Sequence, residues 1–343
     1  MFEDFHGNAK VARTLFAMTQ QPRIPQTIML DGPQGVGKAT LARRFAAALL
    51  GGADKIERDD LSLEANSGAI AEREKWPADK RNDDPLLFAS HPDFLTFPPD
   101  GPLRQITIEQ MRLLKELAQF KPLHGTHRVF LIDHIDRANE QAENSLLKIL
   151  EEPPEHLILL LAAENPYDLL PTIRSRVVSF HLAPLSNAEM QAFVSSRRLS
   201  ETDRRIALAA GSPGLAVSMD LKVYDERRTA MMKLLEVAAR RAPFVEWAKC
   251  AEAMSLRRQE KLDALLNILY VLLEDVLLLS EGRGEIRNLD IQRDLEQVAS
   301  SVSFRWIRAA VGRADELSDL VRRNIQKSIA LDALVVELQN LTL

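Results

Sequence analysis

Cysteine is almost absent from this chain, which has a single one, Cys250, among 343 residues. One thiol can form neither an internal disulfide nor a four-cysteine metal site, so the sequence favours a reducing compartment. Long apolar runs are also lacking: the longest uninterrupted one covers residues 157–163, far short of the about 18 that a membrane span needs. The N-terminus begins acidic and lacks the basic-then-apolar plan of an export signal. These absences predict a cytoplasmic protein without membrane contact.

An excess of positive charge is missing as well. The chain has 44 Lys and Arg against 49 Asp and Glu, a net charge of −5. No basic or aromatic stripe for stacking bases stands out, so we expect nucleic-acid contact only through a local patch or through partners. The apolar fraction of 46% is ordinary for a globular protein, and the length favours two or three domains.

Short apolar runs alternate with amphipathic helical patterns between residues 26 and 180. Five runs have the length and composition of buried strands: 27–30, 93–97, 129–132, 157–162 and 177–180. Continuous apolar strands separated by helices are typical of a parallel sheet covered on both faces. The fold class predicted is α/β, with a five-stranded parallel sheet, followed by helical regions.

Composition changes set the expected domain boundaries. We predict an α/β domain over 1–182, a small helical lid over 183–221 and an all-α domain over 222–343. Residues 51–85 are rich in charged side chains and poor in apolar ones, which predicts a solvated insertion or a partly ordered loop.

A glycine-rich turn between the first strand and the next helix matches a phosphate-binding loop. The candidate residues are Gly32, Pro33, Gly35, Val36, Gly37, Lys38, Ala39 and Thr40. Glycines let backbone N–H groups approach phosphate oxygens, and the helix N-terminus and Lys38 add positive charge. Ala39 stands where a Ser or Thr hydroxyl would bind Mg²⁺, and Thr40 is one residue too late. A plain strand-to-helix turn is the alternative interpretation, and the sequence leaves open whether ATP or ADP binds.

The third strand ends in Asp133, the position that holds Mg²⁺ through water in phosphoryl-transfer enzymes. The next residue is His134, where an ATPase of this type has a catalytic Glu. The simplest interpretation is that the catalytic carboxylate is missing. Asp133 could equally be a helix-capping or loop residue.

Arg176 lies in the string Thr-Ile-Arg-Ser-Arg, just before the fifth strand. An arginine on a rigid turn can reach a neighbouring subunit's nucleotide site and stabilise the charge that develops on the γ-phosphate. From spacing alone, a surface ion pair is the simpler interpretation.

Four strings, read together, carry a family resemblance. They are Ser-His-Pro-Asp at 90–93, the strand ending at Asp133, Leu-Leu-Lys-Ile-Leu-Glu-Glu-Pro-Pro at 146–154, and Thr-Ile-Arg-Ser-Arg at 172–176. In this order they resemble the AAA+ subunits of the bacterial DNA polymerase III clamp loader, most closely the delta-prime family. The resemblance covers about residues 1–220, and 323–325 and 330–332 extend it weakly.

The resemblance implies an AAA+ P-loop module, a three-helix lid and a helical collar that assembles with other subunits. It also implies a stator in a five-subunit ring that opens the sliding clamp and places it on primed DNA. Such a stator has little or no ATP hydrolysis of its own and lends an arginine, here Arg176, to the ATP site of the adjacent gamma/tau subunit. The implied partners are gamma/tau and delta subunits, with the clamp and primer-template DNA contacted through the complex.

Three departures from the motor subunits all affect hydrolysis. Ala39 removes the Mg²⁺ hydroxyl, His134 replaces the catalytic Glu, and Gly214 stands where a lid arginine would sense phosphates. No cysteines occupy the place of the family's zinc module, so we predict no zinc and no required cofactor, with ATP or ADP left as an optional ligand. Any polymerase activity would belong to the complex. The alternative is a self-sufficient AAA+ ATPase, a divergent gamma/tau-like motor.

Overall fold

The computed structural model describes residues 2, 5–255, 262–321 and 327–341. The chain divides into two compact units. The first consists of Met1–Ser200 with Gly211–Val217, and the second of Glu201–Ala210 with Ser218–Leu343. The domain boundaries at 183 and 222 stay predictions.

A six-stranded sheet forms the centre of the first unit. Its strands are β1 (Thr27–Asp31), β2 (Phe88–His91), β3 (Phe94–Phe97), β4 (Arg128–Ile132), β5 (Leu157–Ala163) and β6 (Val178–His181). The spatial order is β2-β3-β4-β5-β1-β6. Five strands are parallel, and β2 pairs antiparallel with β3. The predicted five-stranded parallel sheet is confirmed, with one additional antiparallel strand at its edge.

The apolar runs form strands because helices cover the sheet. Every residue of β1, β3, β4 and β5 is buried. The helices up to the end of β6 are α1 (Ala9–Met18), α2 (Lys38–Leu50), α3 (Ala53–Ile56), α4 (Glu64–Arg73), α5 (Ala78–Asp83), α6 (Ile108–Leu117), α7 (Glu140–Glu151) and α8 (Pro171–Arg174). Met111 of α6 and Leu146 of α7 share one core with Met29 and Phe130 of the sheet. Such burial contributes about 1.5–3 kcal/mol for each large apolar side chain.

The charged segment 51–85 is folded, and most of its residues are exposed. It is the solvated insertion that the sequence predicts, whereas the alternative, a partly ordered loop, is wrong. It contains α3, α4 and α5. Arg73 is 5% exposed, and its guanidinium bonds both carboxylate oxygens of Asp100, at 3.0 and 2.7 Å. The Trp76 ring lies beneath Arg73 and Lys80. Long-range ion pairs organise this segment, and such pairs leave no periodic signal in the sequence.

The remaining helices are α9 (Asn187–Ser196), α10 (Thr202–Ala209), α11 (Pro213–Ser218), α12 (Leu221–Ala238), α13 (Phe244–Ser255), α14 (Leu262–Glu281), α15 (Gln292–Ala299), α16 (Phe304–Val321) and α17 (Lys327–Leu341). Helices α12 to α17 share an apolar core, in which Trp247 is fully buried and donates to Asp332 Oδ1 at 2.7 Å. The weakly resembling string 323–325 lies outside the described residues. None of the described helices is long and apolar enough to cross a bilayer.

Candidate nucleotide site and exposed arginine

Three carboxylates follow three neighbouring strands at the same edge of the sheet. Asp31 ends β1, Asp133 follows β4, and Glu164 follows β5. Because β4, β5 and β1 are adjacent and parallel, their carboxyl ends meet where ligands bind in open α/β sheets. Asp133 is 6% exposed, and its Oδ1 accepts the His134 backbone N–H at 3.0 Å.

The glycine-rich turn has the position that the sequence predicts, between β1 and α2. Gly37 is the N-cap residue of α2, and Lys38 is its first residue. No side chain caps this helix start, so its first backbone N–H groups face no competing carboxylate or hydroxyl cap. That arrangement suits an anion. Ala39 and Thr40 lie in the same first turn, half-buried.

Lys38 is held by the loop itself. Its Nζ donates to the carbonyl oxygens of Gly32 at 2.7 Å and Pro33 at 2.9 Å. Burial lowers the pKa of the Lys38 amine, and the negative charges of Glu164, Asp133, Asp136 and Asp31 partly offset that effect. The carboxylates near Lys38 therefore offset part of the positive charge of its ammonium. This charge is the one that would attract a bound phosphate.

His134 pairs with Glu164 at the end of the strands. His134 Nδ1 lies 3.3 Å from Glu164 Oε1, with both side chains less than a third exposed. Burial would lower the pKa of His134, but its contact with Glu164 and the charge of Asp133 raise it above its ordinary value. The same contact lowers the pKa of Glu164, against the opposing effect of burial. The position after Asp133 thus carries an imidazole that is paired with a carboxylate at 3.3 Å.

A backbone segment of the first unit packs onto the phosphate loop. The Gly214 N–H donates to the Gly35 carbonyl at 2.8 Å, and the Ser212 hydroxyl donates to the Gln34 carbonyl at 2.8 Å. Gly35 has a φ of +71°, which favours glycine. A Cβ on Gly214 would lie 2.9 Å from Gly35 Cα and from Gly35 O. The position expected for a phosphate-sensing arginine therefore has no room for a side chain.

Arg176 lies just beyond α8 and is exposed. Its Nη2 bonds Glu151 Oε1 at 2.8 Å, and its Nη1 donates to the Thr172 carbonyl at 2.9 Å. The side chains of Arg176 and Glu151 are 35% and 50% exposed. The simpler of the two sequence-based interpretations, a surface ion pair, is therefore present. This ion pair leaves part of the Arg176 guanidinium accessible.

The structure brings Lys38 of the loop and Asp133 close together, whereas the contacts of Arg176 are with Thr172, Ser175 and Glu151. Sequence reasoning missed Glu164, although the rule that parallel strands end at one edge could have found it, because it follows the strand next to β1. It also missed Glu151 as the partner of Arg176. Within the described part of the chain, no cluster of three or more His, Cys, Asp or Glu side chains could hold a metal ion.

Comparison with known proteins identifies the family. Residues 7–186 match the family described as DNA polymerase III, delta subunit. The delta-prime subunit of Escherichia coli K12 is 27% identical over 65% of this chain and 66% of its own length. That of Pseudomonas aeruginosa is 30% identical over 64% of each, and that of Bacillus subtilis is 24% identical over 96% of this chain and 95% of its own length. The matched region thus spans just under two thirds of the first two relatives.

The fold agrees with the sequence matches. A solved structure of a DNA polymerase III gamma subunit-related protein from Thermotoga maritima has a TM-score of 0.50 and 16% identity, covering 97% of this chain and 99% of its own. Relatives named tau or gamma/tau also match, at 24–28% identity. Similarity alone therefore does not separate a stator from a motor. With the family match over 7–186 and the AAA+ arrangement of sheet and phosphate loop, the chain belongs to the delta-prime family of DNA polymerase III clamp-loader subunits.

Proposed function

We propose that this chain is the stator of a clamp loader: it hydrolyses little or no ATP itself and supplies Arg176 in trans to the ATP site of an adjacent gamma/tau-type subunit. The other proposed partners are a delta-type subunit and, through the complex, the sliding clamp and primer-template DNA. The names of the relatives, which include delta-prime and tau/gamma subunits, support assembly with subunits of these kinds.

One observation carries the proposal. The phosphate loop lies directly before α2, as the sequence predicts, but Ala39 and His134 replace two residues that hydrolysis needs. The residues do not fit a hydrolysable Mg²⁺–triphosphate, because Ala39 offers no hydroxyl to the metal and the His134 ring contacts Glu164. Lys38 is already bonded to two loop carbonyls. We include in the proposal that a nucleotide, if it binds, is not turned over, and that no zinc is needed.

Arg176 supplies the second half of the proposal. Its guanidinium is cationic, planar and exposed, which are the properties that recognition of a γ-phosphate needs. In known phosphoryl-transfer systems an arginine supplied in trans contributes about 10³ to 10⁵ in rate. In this proposal the positive charge of Arg176 acts at the ATP site of the adjacent gamma/tau-type subunit.

Co-purification with gamma/tau and delta subunits, followed by ATPase assays, tests this function. We expect a stable complex with both, and no DNA-stimulated hydrolysis by the purified chain alone. Steady hydrolysis by the isolated chain would favour the alternative, a self-sufficient AAA+ motor. If the chain formed no complex with either the gamma/tau or the delta subunit, the proposed stator role would be wrong.

A further inference from the structure

Helix α7 holds both ends of the short segment that carries Arg176. Near the start of α8, Glu143 Oε2 accepts the Leu170 backbone N–H at 2.8 Å. Beyond the end of α8, Glu151 Oε1 accepts from Arg176 Nη2 at 2.8 Å. Glu143 and Glu151 are eight residues apart, about two turns, so they lie on the same side of α7. Two carboxylates of one helix thus fix the segment at both ends.

The helix that supplies these carboxylates is itself firmly anchored. Leu146, Ile149 and Leu150 are each at most 5% exposed, in the core between α7 and the sheet. Glu143 is buried too, and this burial raises the pKa of its carboxyl, partly offset by the bond from Leu170. Glu143 and Glu151 belong to α7, and α7 packs on the sheet from which the phosphate loop extends. Contacts with these two carboxylates therefore fix a group relative to that sheet.

Glu151 has a position that helix energetics alone does not favour. It is the last residue of α7, where the partial negative charge of the helix end disfavours a carboxylate and favours a cation. The guanidinium of Arg176 supplies that cation at 2.8 Å. The pair offsets the unfavourable placement of Glu151 and at the same time restrains the long arginine side chain.

The bonds to Arg176 leave part of its guanidinium available. Its contacts are Nη1 to Thr172 O and to Ser175 Oγ, and Nη2 to Glu151. A guanidinium has five N–H donors, so at least two of them have no acceptor among the residues that the structure describes. Some N–H groups of the guanidinium are thus bonded within this chain, and others remain available to a phosphate oxygen.

We propose that Glu151 is a positioning residue for Arg176: it orients the guanidinium before the neighbouring subunit's nucleotide arrives. This inference rests on the proposed function, because it assigns Glu151 a part in the trans reaction. An arginine that is already oriented loses less conformational entropy when it meets the transition state, and this advantage appears in the rate and not in the affinity for the ground state.

The test uses a reconstituted loader in which only the motor site next to this chain keeps its own hydrolytic residues. The chain is supplied as wild type, Glu151→Ala, Glu151→Gln, Arg176→Ala and the double variant Glu151→Ala/Arg176→Ala. Glu152→Ala is the matched control, since it removes the same charge one residue further along, from a side chain with no ion pair among the described residues. Thermal melting and complex formation verify that each variant folds and assembles.

We expect Glu151→Ala to lower kcat about tenfold, with the KM for ATP changed by less than about twofold. Glu151→Gln keeps an acceptor oxygen and should retain at least about a third of the wild-type kcat. Glu152→Ala should match wild type. The double variant should be no slower than Arg176→Ala, because Glu151 acts only through Arg176.

Two results would overturn the inference and leave the proposed function standing: a wild-type or raised kcat for Glu151→Ala while Arg176→Ala is impaired, or a double variant clearly slower than Arg176→Ala. A wild-type kcat for Arg176→Ala would overturn the proposed function itself.

Discussion

The backbone N–H of Gly214 donates to the carbonyl of Gly35 at 2.8 Å, so a residue from the segment after α10 is bonded directly to the phosphate loop. The contact exists because both positions are glycines: a Cβ at residue 214 would come within 2.9 Å of Gly35. Backbone packing leaves no room for a side chain at residue 214, which agrees with the proposal that this phosphate loop does not drive hydrolysis.

This contact predicts the effect of adding one methyl group. Gly214→Ala should lower the free energy of unfolding by about 1–3 kcal/mol, because backbone atoms of Gly35 cannot move aside as a flexible side chain would. Thermal or urea unfolding measures the change. Gly68→Ala is the control: Gly68 is in helix α4 with open space around its Cβ position, so that variant should gain up to about 1 kcal/mol. Equal effects at both positions would contradict the packing argument.

The pair of His134 and Glu164 predicts a pH dependence. The pKa of His134 is raised in the folded chain, so its stabilising contribution is complete below the ordinary value of 6.5 and is lost as the pH rises through the folded pKa. The pKa of Glu164 is lowered, so its contribution is present above 4.5 and is lost as the pH falls through its folded pKa. The pair should therefore contribute most between these two ordinary values.

NMR titration of the histidine ring protons checks this. His134 should titrate above its ordinary value in the wild type and lower in Glu164→Gln. His127 is the internal control, since burial lowers its pKa and His156 adds to that effect, and it should not respond to the substitution. An unchanged His134 titration in Glu164→Gln would show that the carboxylate does not hold the imidazolium.

The folded insertion depends on a buried ion pair. Arg73 and Asp100 have side chains only 6% and 2% exposed, so removing one partner leaves an uncompensated charge. Arg73→Ala should cost about 3–5 kcal/mol of stability. Lys75→Ala removes an ion pair whose side chains are 74% and 60% exposed and should leave the stability close to that of the wild type, because solvent screens such a pair. Chemical unfolding of the two variants measures both, and similar small losses would mean that Arg73 does not organise the segment.

The sequence predicts best what local pattern determines. The runs 27–30, 129–132 and 157–162 are apolar because those strands are covered on both faces, and each is a strand in the structure. Strand β2 was not predicted, because it is short and Ala89 and Ser90 are exposed at the sheet edge, so it lacks an apolar run.

The features that could not be predicted depend on partners distant in the chain. Arg73 meets Asp100, and Arg176 meets Glu151, across 27 and 25 residues. Ser212 meets the Gln34 carbonyl across 178 residues. Charge and polarity at one position do not specify which distant group will come near it, so the partners of Arg73 and Arg176 could not be identified from the sequence.

In the proposed function, Arg176 acts on a neighbouring subunit's nucleotide and not on this chain's own. The most direct measurement is single-turnover ATP hydrolysis in a reconstituted loader whose only competent motor site adjoins this chain, with wild-type chain compared against Arg176→Ala. We expect intact assembly and a hydrolysis rate at least about 10³-fold lower for the variant, the lower end of the range known for arginines supplied in trans. Hydrolysis at the wild-type rate in a fully assembled complex would contradict the proposed function.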